Sequence, residues 1–174
     1  EGVEVTTEDA NGVRSALKAK RVVAALPPRL LHASVEFEPR PEPETLLQWR
    51  STPTWMAPHA KFVAVYDRPF WRTSGLSGMA QSMAGPMGVV PQQRASLSEG
   101  KIGQACVAQL VRLFGQAAAR PRAALLKDWA RDELTATPLD ISSVGHPENG
   151  VRNWVGGAWQ GKLLLAGSET SPTH

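Results

Sequence analysis

Two short apolar runs near opposite ends of the chain constrain its fold more than any other feature. Arg21-Val22-Val23-Ala24-Ala25-Leu26 is stopped by Pro27-Pro28, and Leu163-Leu164-Leu165-Ala166 runs into Gly167. The first run suits a strand covered on both faces, the habit of parallel sheets. The second reads as a buried strand entering a helix start. With helical patterns between them, the expectation is an α/β to α+β fold, a mixed sheet with flanking helices. The composition allows it: 174 residues, 42% of them hydrophobic, are enough for a real core.

The remaining local signals are of unequal strength. Val3 and Val5 alternate with polar neighbours over 2–7, Asn11-Gly12 is a hairpin turn, and Val13 to Leu17 reads as the returning strand. Pro28 opens a short helix. Residues 38–43, Glu-Pro-Arg-Pro-Glu-Pro, read as an extended linker, and a helix follows over 43–50 with Leu46, Leu47 and Arg50 at helical spacing. Lys61 to Tyr66 reads as a strand. The strongest helix spans about 98–114, where Ile102, Ala105, Cys106, Gln109, Leu110, Leu113 and Phe114 follow the 3, 4, 3 spacing. Ser98 caps its start and Gly115 its end. Leu125 to Ala130 fits strand or helix, 131–153 is polar and irregular, and a short strand near Met87–Val90 interrupts a loop.

Several function classes are excluded. The net charge is only +3, with no long basic run and no aromatic ladder among basic residues, which argues against nucleic acid. No apolar stretch approaches the roughly 18–20 residues that span a bilayer. No basic-then-apolar leader precedes the first strand, which leaves the cytoplasm as the default compartment. The single Cys106 allows neither an internal disulfide nor a cysteine zinc site. The four histidines show no metal-ligand spacing, so no metal is expected. The strand in progress at Glu1 and the unfinished helix entry near His174 read as a piece of a larger protein.

Lys61 is the residue that physical reasoning singles out. In Lys61-Phe62-Val63-Ala64-Val65-Tyr66 both alternating faces carry apolar residues, so the strand is expected to be covered on both sides. A lysine there pairs, snorkels off the strand end, or titrates for a purpose. Gly167-Ser168-Glu169-Thr170, after an apolar strand, is a strand–turn–helix entry. Ser168 or Thr170 can serve as a simple N-cap, or the freed backbone N–H groups can bind an anion. Neither Gly-x-Gly-x-x-Gly nor a P-loop occurs.

Four stretches, in one order, resemble the flavin-containing amine oxidases. They are Val22 to Pro28 with Arg29-Leu30-Leu31 and Val35 to Pro39; Lys61 to Arg72; Lys127-Asp128-Trp129 with Asp132; and Leu165-Ala166-Gly167-Ser168-Glu169-Thr170-Ser171. The last is similar to the family's Ala-Gly-Thr-Glu-Thr. The chain looks like the C-terminal part of a monoamine or polyamine oxidase homologue.

That resemblance implies an FAD-binding domain comprising about 1–40 and 154–174, and a substrate domain comprising about 41–153. It implies that Lys61 holds a water near flavin N5, that Trp129 lies near the flavin ring, and that Gly167, Ser168 and Glu169 contact FAD. No Cys lies in the segment after Trp129, so FAD would be held non-covalently. The partners implied are a small amine, dioxygen and the remainder of the FAD-binding domain. The reaction implied is hydride transfer from the amine carbon to flavin, imine hydrolysis and peroxide release, with this piece inactive alone. A related flavin desaturase, a porphyrinogen-type oxidase, or a non-catalytic module that lost the flavin share the same pattern.

Overall fold

The computed structural model describes residues 2–82, 85–86, 91–142, 150 and 152–171. The chain order is β1 (Val3–Glu8), β2 (Arg14–Ala19), β3 (Val22–Ala24), α1 (Pro28–Ser34), α2 (Pro43–Ser51), β4 (Ala60–Val65), α3 (Phe70–Thr73), α4 (Pro91–Ala95), α5 (Glu99–Phe114), β5 (Ala123–Asp128), α6 (Pro138–Ile141) and β6 (Leu163–Leu165). Short 3-10 turns lie at Gln116–Ala119, Trp129–Arg131, Gly157–Trp159 and Ser168–Thr170. The chain forms two compact units, Glu1–Trp55 with Val144–His174, and Met56–Ser143. The described strands make three two-stranded sheets: β1–β2 and β4–β5 antiparallel, β3–β6 parallel.

The first unit opens with the expected hairpin. Its turn is built by Asp9, whose carboxylate accepts from the N–H groups of Asn11 (2.8 Å) and Val13 (2.9 Å). Those backbone donors, Val13's foremost, hold the Asp9 carboxyl below its ordinary range. Gly12 takes the positive φ of 77° that the turn requires. Val13 is drawn into the turn, so the returning strand starts one residue later than expected. Only Val3 of the hairpin is buried, and Leu17 is 65% exposed.

The parallel pairing of the two apolar runs holds, with Val22, Val23 and Ala24 opposite Leu163, Leu164 and Leu165. Coverage on both faces does not. Ala24 and Leu163 are buried, whereas Val23 is 59% and Leu164 47% exposed. Among the described residues the core on the inner face joins Ala24 and Leu163 to Leu31 of α1 and Trp49 of α2. Period-2 alternation then leaves the opposite face to solvent.

Trp49 centres this core with no exposed surface. Its indole N–H donates to the Trp154 carbonyl at 2.8 Å. Phe37 packs against it at 5.5 Å between ring centroids and meets Trp159 edge-on at 5.2 Å. Trp159 Nε1 donates to the Pro39 carbonyl at 2.6 Å, and Pro41 is buried. The 38–43 stretch is therefore a packed segment of this unit, not a free linker. The helix expected over 43–50 forms as α2; it turns Trp49 and Thr45 inward, packs Leu46 against the core and leaves Leu47 66% exposed. Trp49 thereby ties α2 into the first compact unit, Glu1–Trp55 with Val144–His174. Arg29, also buried, reaches from α1 to the last turn of α2, where its Nε donates to the Arg50 carbonyl at 2.9 Å. Arginine here satisfies a carbonyl that the helix end leaves without an intrahelical donor.

The second unit lays α5 against one face of β4–β5. A Cβ built at Gly103 would sit 3.8 Å from Phe62 Cε2, which marks the contact. The helix is as expected: Ser98 Oγ accepts from Lys101 N at 3.4 Å, Gly115 follows at φ 82°, and Ile102, Cys106 and Gln109 are buried. Burial pushes the Cys106 thiol up, consistent with a core residue. The 123–128 run resolves as strand. Part of the supposedly irregular 131–153 stretch is α6, started by Asp140, whose Oδ2 accepts from Thr137 N (2.9 Å) and Thr137 Oγ1 (2.8 Å). The strand expected near Met87–Val90 lies outside the described residues.

Candidate functional site

Lys61 stands near the start of β4, directly opposite Lys127 of β5. The strand alternates, with Phe62 and Ala64 half-buried and Lys61, Val63 and Val65 exposed. The expectation that Lys61 lies between two covered faces is therefore corrected: α5 packs against one face, and the other, with Lys61, Val63 and Val65, is exposed. Two ammonium groups opposed on one face repel each other. The conflict is eased on one side, because Lys127 Nζ pairs with Asp132. That contact, with a further N–H bond from Leu134, holds the Asp132 carboxyl below its ordinary range. Lys61 makes no ion pair among the described residues and keeps three hydrogen-bond donors available.

Trp129 follows at the same end of the ladder. It is half-buried, it begins the Trp129–Arg131 turn, and its N–H donates to the His59 carbonyl at 3.0 Å. The residue before it, Asp128, is 7% exposed and receives a two-pronged salt bridge from Arg94, which is 6% exposed. Arg94 Nε donates to Oδ2 at 3.1 Å and Nη2 to Oδ1 at 3.0 Å. Sequence reasoning missed this pair. The available signal was an acidic residue on the inner face of a strand, where an uncompensated charge is costly. Nothing local pointed to Arg94 as its partner.

Gly167, Ser168 and Glu169 belong to the other compact unit. The 3-10 turn Ser168–Thr170 begins where β6 ends, beside the end of the parallel strand β3. Gly167 occupies the capping position, not Ser168 or Thr170. Thr170 Oγ1 folds back on it, accepting from Gly167 N (3.2 Å) and donating to Gly167 O (2.9 Å), while Ser168 Oγ donates to Glu169 Oε2 (3.1 Å). The Ser168 and Glu169 N–H groups make no hydrogen bond among the described residues. A Cβ at Gly167 would lie 3.3 Å from Glu169 Oε2 and 3.6 Å from the Leu26 carbonyl, so glycine keeps the turn tight.

Two open backbone donors and a carboxylate at the carboxyl ends of parallel strands fit a nucleotide cofactor. The donors suit its acceptor oxygens and the carboxylate its hydroxyls. Among the described residues no group of three or more His, Cys, Asp or Glu side chains is placed to hold a metal. No helix among them is long and apolar enough to cross a membrane.

Comparison with known proteins supplies the family. Cyclohexylamine oxidase from Brevibacterium oxydans IH-35A is similar in structure, with a TM-score of 0.65 and 23% identity over 92% of this chain and 39% of that one. Putrescine oxidase with bound putrescine gives a TM-score of 0.60 and 20% identity over 89% of this chain and 38% of that one. This chain therefore spans about two fifths of the length of these structures. No curated protein gives a significant sequence match. The family model for flavin-containing amine oxidoreductases matches residues 1–174. The chain belongs to the flavin-containing amine oxidoreductase family.

Proposed function

We propose that this chain is the C-terminal part of an FAD-dependent amine oxidase, with 1–40 and 154–174 in its FAD-binding domain and 41–153 in its substrate domain. The observation that carries the reading is the family match over residues 1–174. Bound FAD would supply the redox chemistry: acceptance of a hydride from the carbon bearing the amine nitrogen, and reoxidation by dioxygen with release of peroxide.

The residues of this chain bind and orient. Ser168 and Glu169 donate backbone N–H groups to the cofactor, and Gly167 lets it approach the strand end. Glu169 accepts from a cofactor hydroxyl. Trp129 supplies an aromatic wall that excludes water from the amine. Lys61, with no carboxylate partner among the described residues, donates hydrogen bonds to the water that hydrolyses the imine and steers dioxygen to the same place. The remainder of the FAD-binding domain is its structural partner.

The test is the intact protein, purified and examined for flavin absorbance and for peroxide release from a panel of amines. Lys61→Met should slow flavin reoxidation about tenfold or more while leaving the fold unchanged. Unchanged half-reactions would remove Lys61 from the site. Flavin with no amine turnover would favour a desaturase or porphyrinogen-type oxidase, and protein without flavin a non-catalytic module.

A further inference from the structure

The Arg94–Asp128 pair lies where it can set the geometry of both proposed active-site residues in the second unit. Asp128 is the last residue of β5, paired with Ala60 beside Lys61, and it immediately precedes Trp129. Its carboxylate is fully engaged. Oδ1 accepts from Arg94 Nη2 and from the Ala130 N–H at 3.3 Å, and Oδ2 accepts from Arg94 Nε with Arg131 Nε at 3.6 Å. Asp128 thus anchors the turn that carries Trp129 from both sides.

The guanidinium groups are anchored in turn. Arg94 Nη2 also donates to the Pro58 carbonyl at 2.7 Å, just before the His59 carbonyl that receives the Trp129 N–H. Arg131 Nη2 donates to the carbonyls of Arg94 (2.6 Å) and Leu97 (2.7 Å). Three segments, at 58–60, 94–97 and 128–131, are therefore tied through one buried carboxylate. An apolar pair of the same shape would pack as well, since buried ion pairs add little net stability over such replacements. What the planar fork adds is direction: it fixes the carboxylate plane, and with it the start of the Trp129 turn.

We propose that Arg94 and Asp128 are positioning residues for amine oxidation, acting through Trp129 and the Lys61 end of β4. This rests on the proposed function above. The test uses the intact flavin-loaded enzyme and stopped-flow reduction by a working amine. Arg94→Lys keeps the charge and loses the fork; Asp128→Asn keeps the shape and loses the charge. Each should lower the limiting rate of flavin reduction about tenfold or more with little change in KM, and shift the visible flavin band. In a Trp129→Leu background the same changes should have a clearly smaller further effect, because part of their action passes through that residue and only the part through the Lys61 end of β4 remains.

Normal reduction rates and flavin spectrum, with only a lowered melting temperature, would overturn the proposal and leave the pair purely structural. Effects that multiply undiminished in the Trp129→Leu background would also overturn it. Should Asp128→Asn fail to fold, Asp128→Glu keeps the charges and displaces the carboxylate, and the same readouts decide. These results differ from failure of the oxidase reading, in which the unmodified protein itself holds no flavin or oxidises no amine.

Discussion

Replacing Trp49 tests the reading of the first unit most directly. The side chain is wholly buried against Phe37, Leu31, Ala24 and Leu163, and its N–H is committed to the Trp154 carbonyl. Emptying a fully buried tryptophan site costs about 3–5 kcal/mol in lost transfer energy and residual cavity. Leaving the Trp154 carbonyl without its donor adds about 1–3 kcal/mol, for a combined loss of about 4–8 kcal/mol from Trp49→Ala. Domains hold only about 5–15 kcal/mol in total, so this change should bring the unit near its unfolding threshold. Trp49→Phe keeps a ring against Phe37 but loses the donor, and should cost about 1–3 kcal/mol. Urea titration followed by far-UV circular dichroism gives the losses, and hydrogen exchange should show lost protection in β3, α2 and β6. A Trp49→Ala loss below about 1 kcal/mol would refute the assignment of Trp49 as the centre of the core.

Two further expectations concern ionisation and reactivity. Because Asp132 has its folded-state pKa lowered, first by Lys127 and then by the Leu134 N–H, its contribution to stability is present above the unfolded carboxylate pKa. It is lost as pH falls through the lower folded value. Lys127→Met should raise the Asp132 midpoint toward its ordinary range in a carboxylate NMR titration, and an unchanged midpoint would discount the pair. Cys106 is 4% exposed with its thiol pushed up by burial, so a soluble thiol reagent should label it only on unfolding. Rapid stoichiometric labelling of the native protein would contradict the placement of α5.

Exposure corrects the same expectation in two strands. The 61–66 and 21–26 runs both carry apolar residues at successive positions, which from sequence alone reads as coverage on two faces. In the structure each has one packed face. A side chain's pattern records what it can tolerate, whereas coverage depends on which distant element arrives. Lys61 is consequently open and free of ion pairs among the described residues, a state that suits a residue handling water better than a buried ammonium would. The Asp128–Arg94 bridge escaped notice for the same reason. Its members are 34 positions apart, and neither residue names the other.

What the sequence alone determined was local or carried by family resemblance. Asp9 with Gly12 dictates the hairpin turn, because a carboxylate two and four residues before its donors and a glycine at positive φ need nothing else. Ser98, Gly115 and the apolar spacing between them specify α5, since caps and periodicity act within one helix. Tertiary structure alone decided that Trp49, rather than Leu47, turns inward, that Pro39 to Pro41 is packed rather than a tether, and that Asp128 faces Arg94. The Trp49–Trp154 bond joins residues 105 positions apart. Contacts of that kind depend on three-dimensional approach, which no local propensity encodes.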